Sequence, residues 1–193
     1  MKATIQILSI MAIFMIGLGL SSTIAQTDTK TDNHNVGINI PEVALLDMES
    51  FVSKNLNFFL IAPTEAGKQI TAPGNSTSIW LNYSSIVTAS GADATRLVSV
   101  KANLTIPGID IKVTAGADAG AGAGTKGTPV ASAVTLTTAD QTIISGIGSC
   151  WTDTGINKGH QLTYAVGLAS AATYSSLFSG ITSVTITYTL SDN

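Results

Sequence analysis

From Ser183 to Leu190 the chain reads Ser-Val-Thr-Ile-Thr-Tyr-Thr-Leu. Val184, Ile186, Tyr188 and Leu190 share one face of an extended backbone and the hydroxyls share the other, which predicts a half-buried strand. Burying four such side chains is worth about 1.5–3 kcal/mol each before ordering entropy is subtracted, so this strand requires a partner sheet. The same alternation recurs upstream. Val36, Ile38 and Ile40 alternate with Gly37 and Asn39, predicting a first strand that ends at Pro41. Beyond it, Glu42 to Phe51 carries a proline-then-glutamate helix-start signal and also fits a strand resumed after a bulge; strand is the reading we take.

Leu56, Phe58 and Leu60 alternate with Asn57, Phe59 and Ile61, a strand apolar on both faces and closed by Pro63-Thr-Glu-Ala-Gly67. Ser78 to Val87 sets Ile79, Leu81 and Tyr83 against Trp80, Asn82 and Ser84. Arg96 to Ile106 alternates again and ends at Pro107-Gly108, a turn pair in which proline sets φ and glycine accepts a positive φ. Ile109, Ile111 and Val113 return from that turn, so residues 96–115 are predicted to be a hairpin. Gly116 to Pro129 is rich in Ala and Gly and predicts a mobile loop, because it has no face to bury. Val130 to Thr138, Gln141 to Ile147 and Gln161 to Leu168 supply further strands. With no amphipathic helix of normal length between them, the fold class is all-β: a single immunoglobulin-like antiparallel β-sandwich of about eight or nine strands.

The amino end follows a different pattern. Lys2, an apolar run from Ile5 to Leu20 and then Ser-Ser-Thr-Ile-Ala form a secretory signal, with Thr23 and Ala25 before a cut at Gln26. The domain reading is therefore a signal at 1–25, a flexible linker at 26–35 and the sandwich at 36–193. A retained anchor is the competing reading. The apolar run is short for a membrane span and no second one follows, so the mature chain is expected in the periplasm, at the cell surface or outside the cell. A net charge of -3 with only 11% charged residues offers no basic stripe to a nucleic acid or an anionic membrane. Cys150 is the single cysteine, so no intramolecular disulfide can form, and a buried, unreactive thiol is expected.

Catalytic signatures are sparse. Gly122-Ala-Gly-Thr-Lys-Gly127 has the glycine spacing of a pyrophosphate cradle but leads into Thr128-Pro129 and a strand, where that role requires a helix. His34 lies in the linker and His160 follows Gly159 at the start of a strand, a place for a solvated turn residue; neither sits in a metal-ligand or triad pattern. Asp110, Asp118, Asp140 and Asp153 are scattered among turns, and Glu42, Glu49 and Glu65 all fall early in the chain. The expectation is a protein without catalytic residues, metal ligands or cofactor. The aromatic residues suggest an alternative, carbohydrate binding: Trp80 shares a strand face with Asn82 and Ser84, where an indole beside polar groups can stack on a sugar, with Trp151 and Tyr164 as further members of that surface. Packing of the same rings into the core is the competing reading.

The ending Gly159-His-Gln-Leu-Thr-Tyr-Ala-Val, with Tyr174 and Gly180-Ile-Thr-Ser-Val-Thr-Ile-Thr-Tyr-Thr-Leu, resembles the carboxyl-terminal part of spore-coat-U-like and archaic chaperone-usher fimbrial subunits. Pro63-Thr-Glu-Ala-Gly67 and Ile79-Trp-Leu-Asn-Tyr83 look more like uncharacterised short secreted bacterial β-sandwich proteins. The fimbrial resemblance implies a structural subunit that assembles with copies of itself or other surface subunits by lending an amino-terminal strand, here Val36, Ile38 and Ile40. Pro41 directly after that segment and the absence of a second cysteine depart from the fimbrial pattern.

Overall fold

The computed structural model describes residues 30–193, so the expected secretory leader lies outside the described residues. The chain divides after Asn39. Of the first unit, residues 30–39 are exposed backbone without regular secondary structure. The second unit holds β1 (Val43–Ser50), β2 (Ser76–Ile86), β3 (Arg96–Ala102), β4 (Ile109–Asp118), β5 (Ala123–Pro129), β6 (Val134–Thr135), β7 (Gln141–Trp151), β8 (His160–Leu168) and β9 (Ile186–Asp192). Its only helical segments are short 3-10 turns at Ala92–Ala94 and Ala171–Ser176.

All nine strands join one antiparallel sheet in the order β6-β4-β8-β2-β7-β3-β9, with β1 on β2 and β5 on β7. The sheet changes layer along β2. Its first half pairs with β8, Leu81 opposite His160, whereas its end pairs with β7, Ser84 opposite Trp151. Strands that pass between layers at such bends form the corners of a sandwich. Leu81, Val113 and Leu162 from the β4-β8-β2 half and Val98, Ile143, Ile144 and Ile147 from the β7-β3 half belong to one fully buried cluster, so the two halves face each other. The result is an all-β, immunoglobulin-like antiparallel sandwich.

Arg96 closes one seam of this fold. Its side chain is buried, and its guanidinium donates to Glu42 and to the carbonyl of Val43 at the start of β1. It also donates to Ser85 Oγ and Ile86 O at 3.2 Å, at the end of β2, and to Asp192 Oδ1 at 2.9 Å, at the end of β9. One planar cation with five N–H donors thus holds three strand ends together.

Several strands follow the predicted alternation. Ile79, Leu81 and Tyr83 point inward on β2, Val98 and Val100 on β3, and Ile186, Tyr188 and Leu190 are half-buried against the core on β9. β1 confirms the strand reading of residues 42–51. Elsewhere the structure corrects the expectation. Residues 36–40 are not a strand; pairing begins only past Pro41. Residues 56–61 keep an in-and-out alternation, but their one ladder contact is an isolated bridge between Ile61 and Thr71. The 96–115 hairpin does not form. Ile109 N donates to Ile106 O at 3.0 Å and Gly108 has φ 77, so the turn exists, yet it carries the chain across the sandwich: β3 pairs with β7 and β9, and β4 with β8 and β6.

The predicted loop at 116–129 is mostly strand: β4 continues to Asp118, and β5 lies along β7. Its glycines make this possible. A Cβ at Gly122 would stand 1.9 Å from Trp151 O, and one at Gly124 would stand 2.2 Å from Ser149 O, so only bare backbone can approach β7 this closely.

Candidate functional site

Three places in the described residues carry chemistry or exposed surface beyond what the core needs. The first is the segment before β1, which has no regular secondary structure. Val36, Ile38 and Ile40 are 73, 83 and 71% exposed, and none lies in a strand. Separately, β9 pairs only with β3 and ends the sheet. Its inward side chains Ile186, Tyr188 and Leu190 remain half-buried, whereas their cross-strand neighbours Val98 and Val100 are fully buried. β9 therefore presents an unpaired backbone edge with an incompletely covered apolar face.

The second place is a groove of about 670 Å³ around Trp80. Trp80 projects from the outer face of β2, between Glu49 of β1 and Gln161 of β8 in the cross-strand register. The segment after β1 brings Phe51, Asn57 and Phe59 to the groove, the approach to β2 brings Asn75, and the loop between β7 and β8 brings Asn157. Asn157 takes φ 59, a left-handed conformation that asparagine tolerates. Gln161 is held by a bond from Nε2 to Thr77 O at 3.0 Å.

The other predicted members of a sugar-binding surface are not gathered here. Trp151 is 53% exposed at the end of β7, opposite Ser84 and Ala123, and does not line the groove. Tyr164 is buried, because it shares the inward face of β8 with Leu162, and its hydroxyl meets that of Tyr188 at 2.7 Å. Burial pushes the Tyr164 pKa up to about 12, so it is a neutral core residue. Phe51, Phe59 and Asn57 were not singled out from the sequence. They lie at the irregular end of β1 and beyond it, where alternation says nothing about neighbours in space.

The third place is a polar cluster inside the corner where β2, β4, β7 and β8 bend between layers. His160, expected as a solvated turn residue, is fully buried. Gly159 takes φ 57, and a Cβ there would stand 2.1 Å from Leu81 O, so the glycine lets the chain turn directly inward. His160 Nδ1 lies 2.8 Å from Gly116 O, a carbonyl that only accepts, so Nδ1 carries the proton. Nε2 lies 2.8 Å from the Tyr83 hydroxyl, which also reaches the carbonyl of Lys126. Burial holds the His160 pKa below the ordinary histidine value, against the opposing effects of the Gly116 carbonyl and the Asp118 charge.

Beside it, Lys126 Nζ pairs with Asp118 Oδ1 at 2.5 Å, both side chains largely buried. Cys150 is buried and free, and burial pushes its thiol pKa up to about 11, so it is no nucleophile at neutral pH. The His160, Tyr83 and Lys126 side chains are engaged in holding the bend, while Asp118 Oδ2 and the nearby Asn82 Oδ1 are buried without a partner among the described residues. Among the described residues, no group of three or more His, Cys, Asp or Glu is placed to hold a metal ion. No helix among them is long and apolar enough to cross a membrane.

Comparison with protein-family models, with curated proteins and with solved structures finds nothing that matches this chain, and its fold and surfaces are the basis for a functional reading.

Proposed function

We propose that the protein is an exported, non-enzymatic surface component that associates with copies of itself, each molecule lending residues 36–40 to the free edge of β9 on the next. The observation that carries this reading is the exposed triad Val36, Ile38 and Ile40 on backbone outside any strand. Its spacing matches that of Ile186, Tyr188 and Leu190, the half-buried triad on β9. An added strand would satisfy the β9 edge with main-chain bonds while its alternate side chains set the register. Full burial of the three lent side chains would contribute about 1.5–3 kcal/mol each. Association costs about 4–15 kcal/mol in lost freedom, so the roughly 4.5–9 kcal/mol from three side chains covers only part of that range and backbone pairing adds to it. When each molecule lends its segment to a neighbour other than its own donor, the contact is head-to-tail and builds chains.

Sedimentation velocity of the chain from Gln26 onward tests this. The expected result is a concentration-dependent series of oligomers that collapses to monomer when Val36, Ile38 and Ile40 are all changed to Asn. A wild-type chain that stays monomeric at its highest attainable concentration refutes the reading, as does a triple variant that still forms the series.

A further inference from the structure

We infer that the groove around Trp80 is a binding site for a neutral oligosaccharide, independently of whether residues 36–40 mediate assembly. The first argument is what lines it: aromatic rings, side-chain amides, small hydroxyls, a proline and a glycine, with no charged residue. A phosphate, a carboxylate or a nucleic acid backbone would meet no cation there, and a metal ion would find no cluster of ligands among the described residues, the carboxylate of Glu49 beside Trp80 belonging to no group of three. A neutral ligand loses nothing by this.

The second argument is the pairing of rings with amides. Phe51 and Phe59 are 67 and 77% exposed, and Trp80 is partly exposed, so flat apolar faces are held open to solvent at the rim and floor of a concave site. A pyranose has an apolar C–H face that packs on such rings and a hydroxyl periphery that requires partners which both donate and accept. Side-chain amides do both. Those of Asn57, Asn75 and Asn157 make no hydrogen bond among the described residues, and Gln161, tied to Thr77 through Nε2, keeps its oxygen. At about 670 Å³ the groove falls within the roughly 300–1,000 Å³ of small-ligand sites, which suits a short oligosaccharide. The amides come from four places, the segment after β1, the approach to β2, the loop between β7 and β8, and β8 itself, and the indole comes from β2.

The test is affinity electrophoresis against a panel of neutral polysaccharides (xylan, glucomannan, galactomannan, laminarin and dextran), followed by fluorescence titration with hexasaccharides of any that retard the protein. The expected result is retardation by at least one, loss of at least tenfold in affinity in Trp80→Ala and in the loop variant Asn57→Ala/Asn157→Gly, and wild-type affinity in Trp151→Ala. The loop variant removes exposed amides only, and so keeps the test valid if Trp80→Ala fails to fold. Retardation by no member of the panel overturns the assignment. So does wild-type affinity in the loop variant, or preference for an anionic polymer such as alginate.

Discussion

Replacing Arg96 by methionine keeps an unbranched apolar stem in place and removes the cation that joins β1, β2 and β9. Its two carboxylate partners, Glu42 and Asp192, are each about half exposed, so they can turn to water once the guanidinium is gone. The loss falls instead on the acceptors at the seam, the carbonyls of Val43 and Ile86 and the buried Ser85 hydroxyl. Hydrogen bonds from a charged donor contribute about 1.5–3 kcal/mol each, and removing a buried charge returns part of that through recovered solvation. The expected net cost is about 3 kcal/mol, a large share of the ~5–15 kcal/mol typical of a domain. Urea unfolding followed by tryptophan emission should show a lower midpoint with an unchanged slope, and the melting temperature should fall by about 6–12 °C. Glu42→Gln and Asp192→Asn should each cost about 1 kcal/mol or less, as half-exposed partners do. If Arg96→Met lies within about 1 kcal/mol of wild type, or Glu42→Gln costs as much as the arginine variant, the account of the seam is wrong.

Three further outcomes follow from the corner and from β5. Because burial depresses the His160 pKa, the unfolded chain takes up that proton first on acidification; its contribution to stability is present above the ordinary histidine range and is lost as pH falls below about 6.5. Urea midpoints measured from pH 8 to pH 5 should show this extra loss in wild type and not in His160→Gln. For Cys150, whose pKa is raised to about 11, the sign reverses: stability is lost as pH climbs from the ordinary thiol range towards that value, and an aromatic disulfide reagent at neutral pH should label the thiol only as fast as the protein unfolds. Fast labelling of native protein would contradict its burial. Gly124→Ala, with φ 91 and a Cβ 2.2 Å from Ser149 O, should cost about 3 kcal/mol from strain and overpacking, while Gly74→Ala, with nothing within 4 Å, should stay within about 0.5 kcal/mol; equal effects in denaturant melts would show that β5 is not pressed against β7.

The strands β2, β3, β7, β8 and β9 were legible because alternate apolar positions pack into the core, and period-two alternation records that directly, whereas residues 42–51 fitted a helix start as well as the strand β1. Alternation does not record the neighbour. Residues 36–40 and 56–61 carry the pattern without a continuous ladder, and residues 96–115 carry two such runs around a real turn without pairing to each other. β5 left no signal, since its stability comes from backbone contact and not from side chains that could alternate. His160 was misplaced because a histidine after glycine resembles a surface turn; only the position of Leu81 O behind Gly159 shows that the chain dives inward. At the groove, the outward side of Trp80 followed from its strand, but the rings and amides that complete it come from segments whose approach depends on tertiary structure.

The Ala-Gly stretch looks like the natural place to cut the chain open for a tag or a reporter, being short on bulky residues and free of charge apart from Asp118 and Lys126. It is among the worst. Its backbone is the packing surface, so an insertion there would prise β5 off β7 and uncover Cys150 and Ile147 behind it. The exposed turn at residues 63–69, which carries no ladder, is the place where the fold would accommodate added sequence.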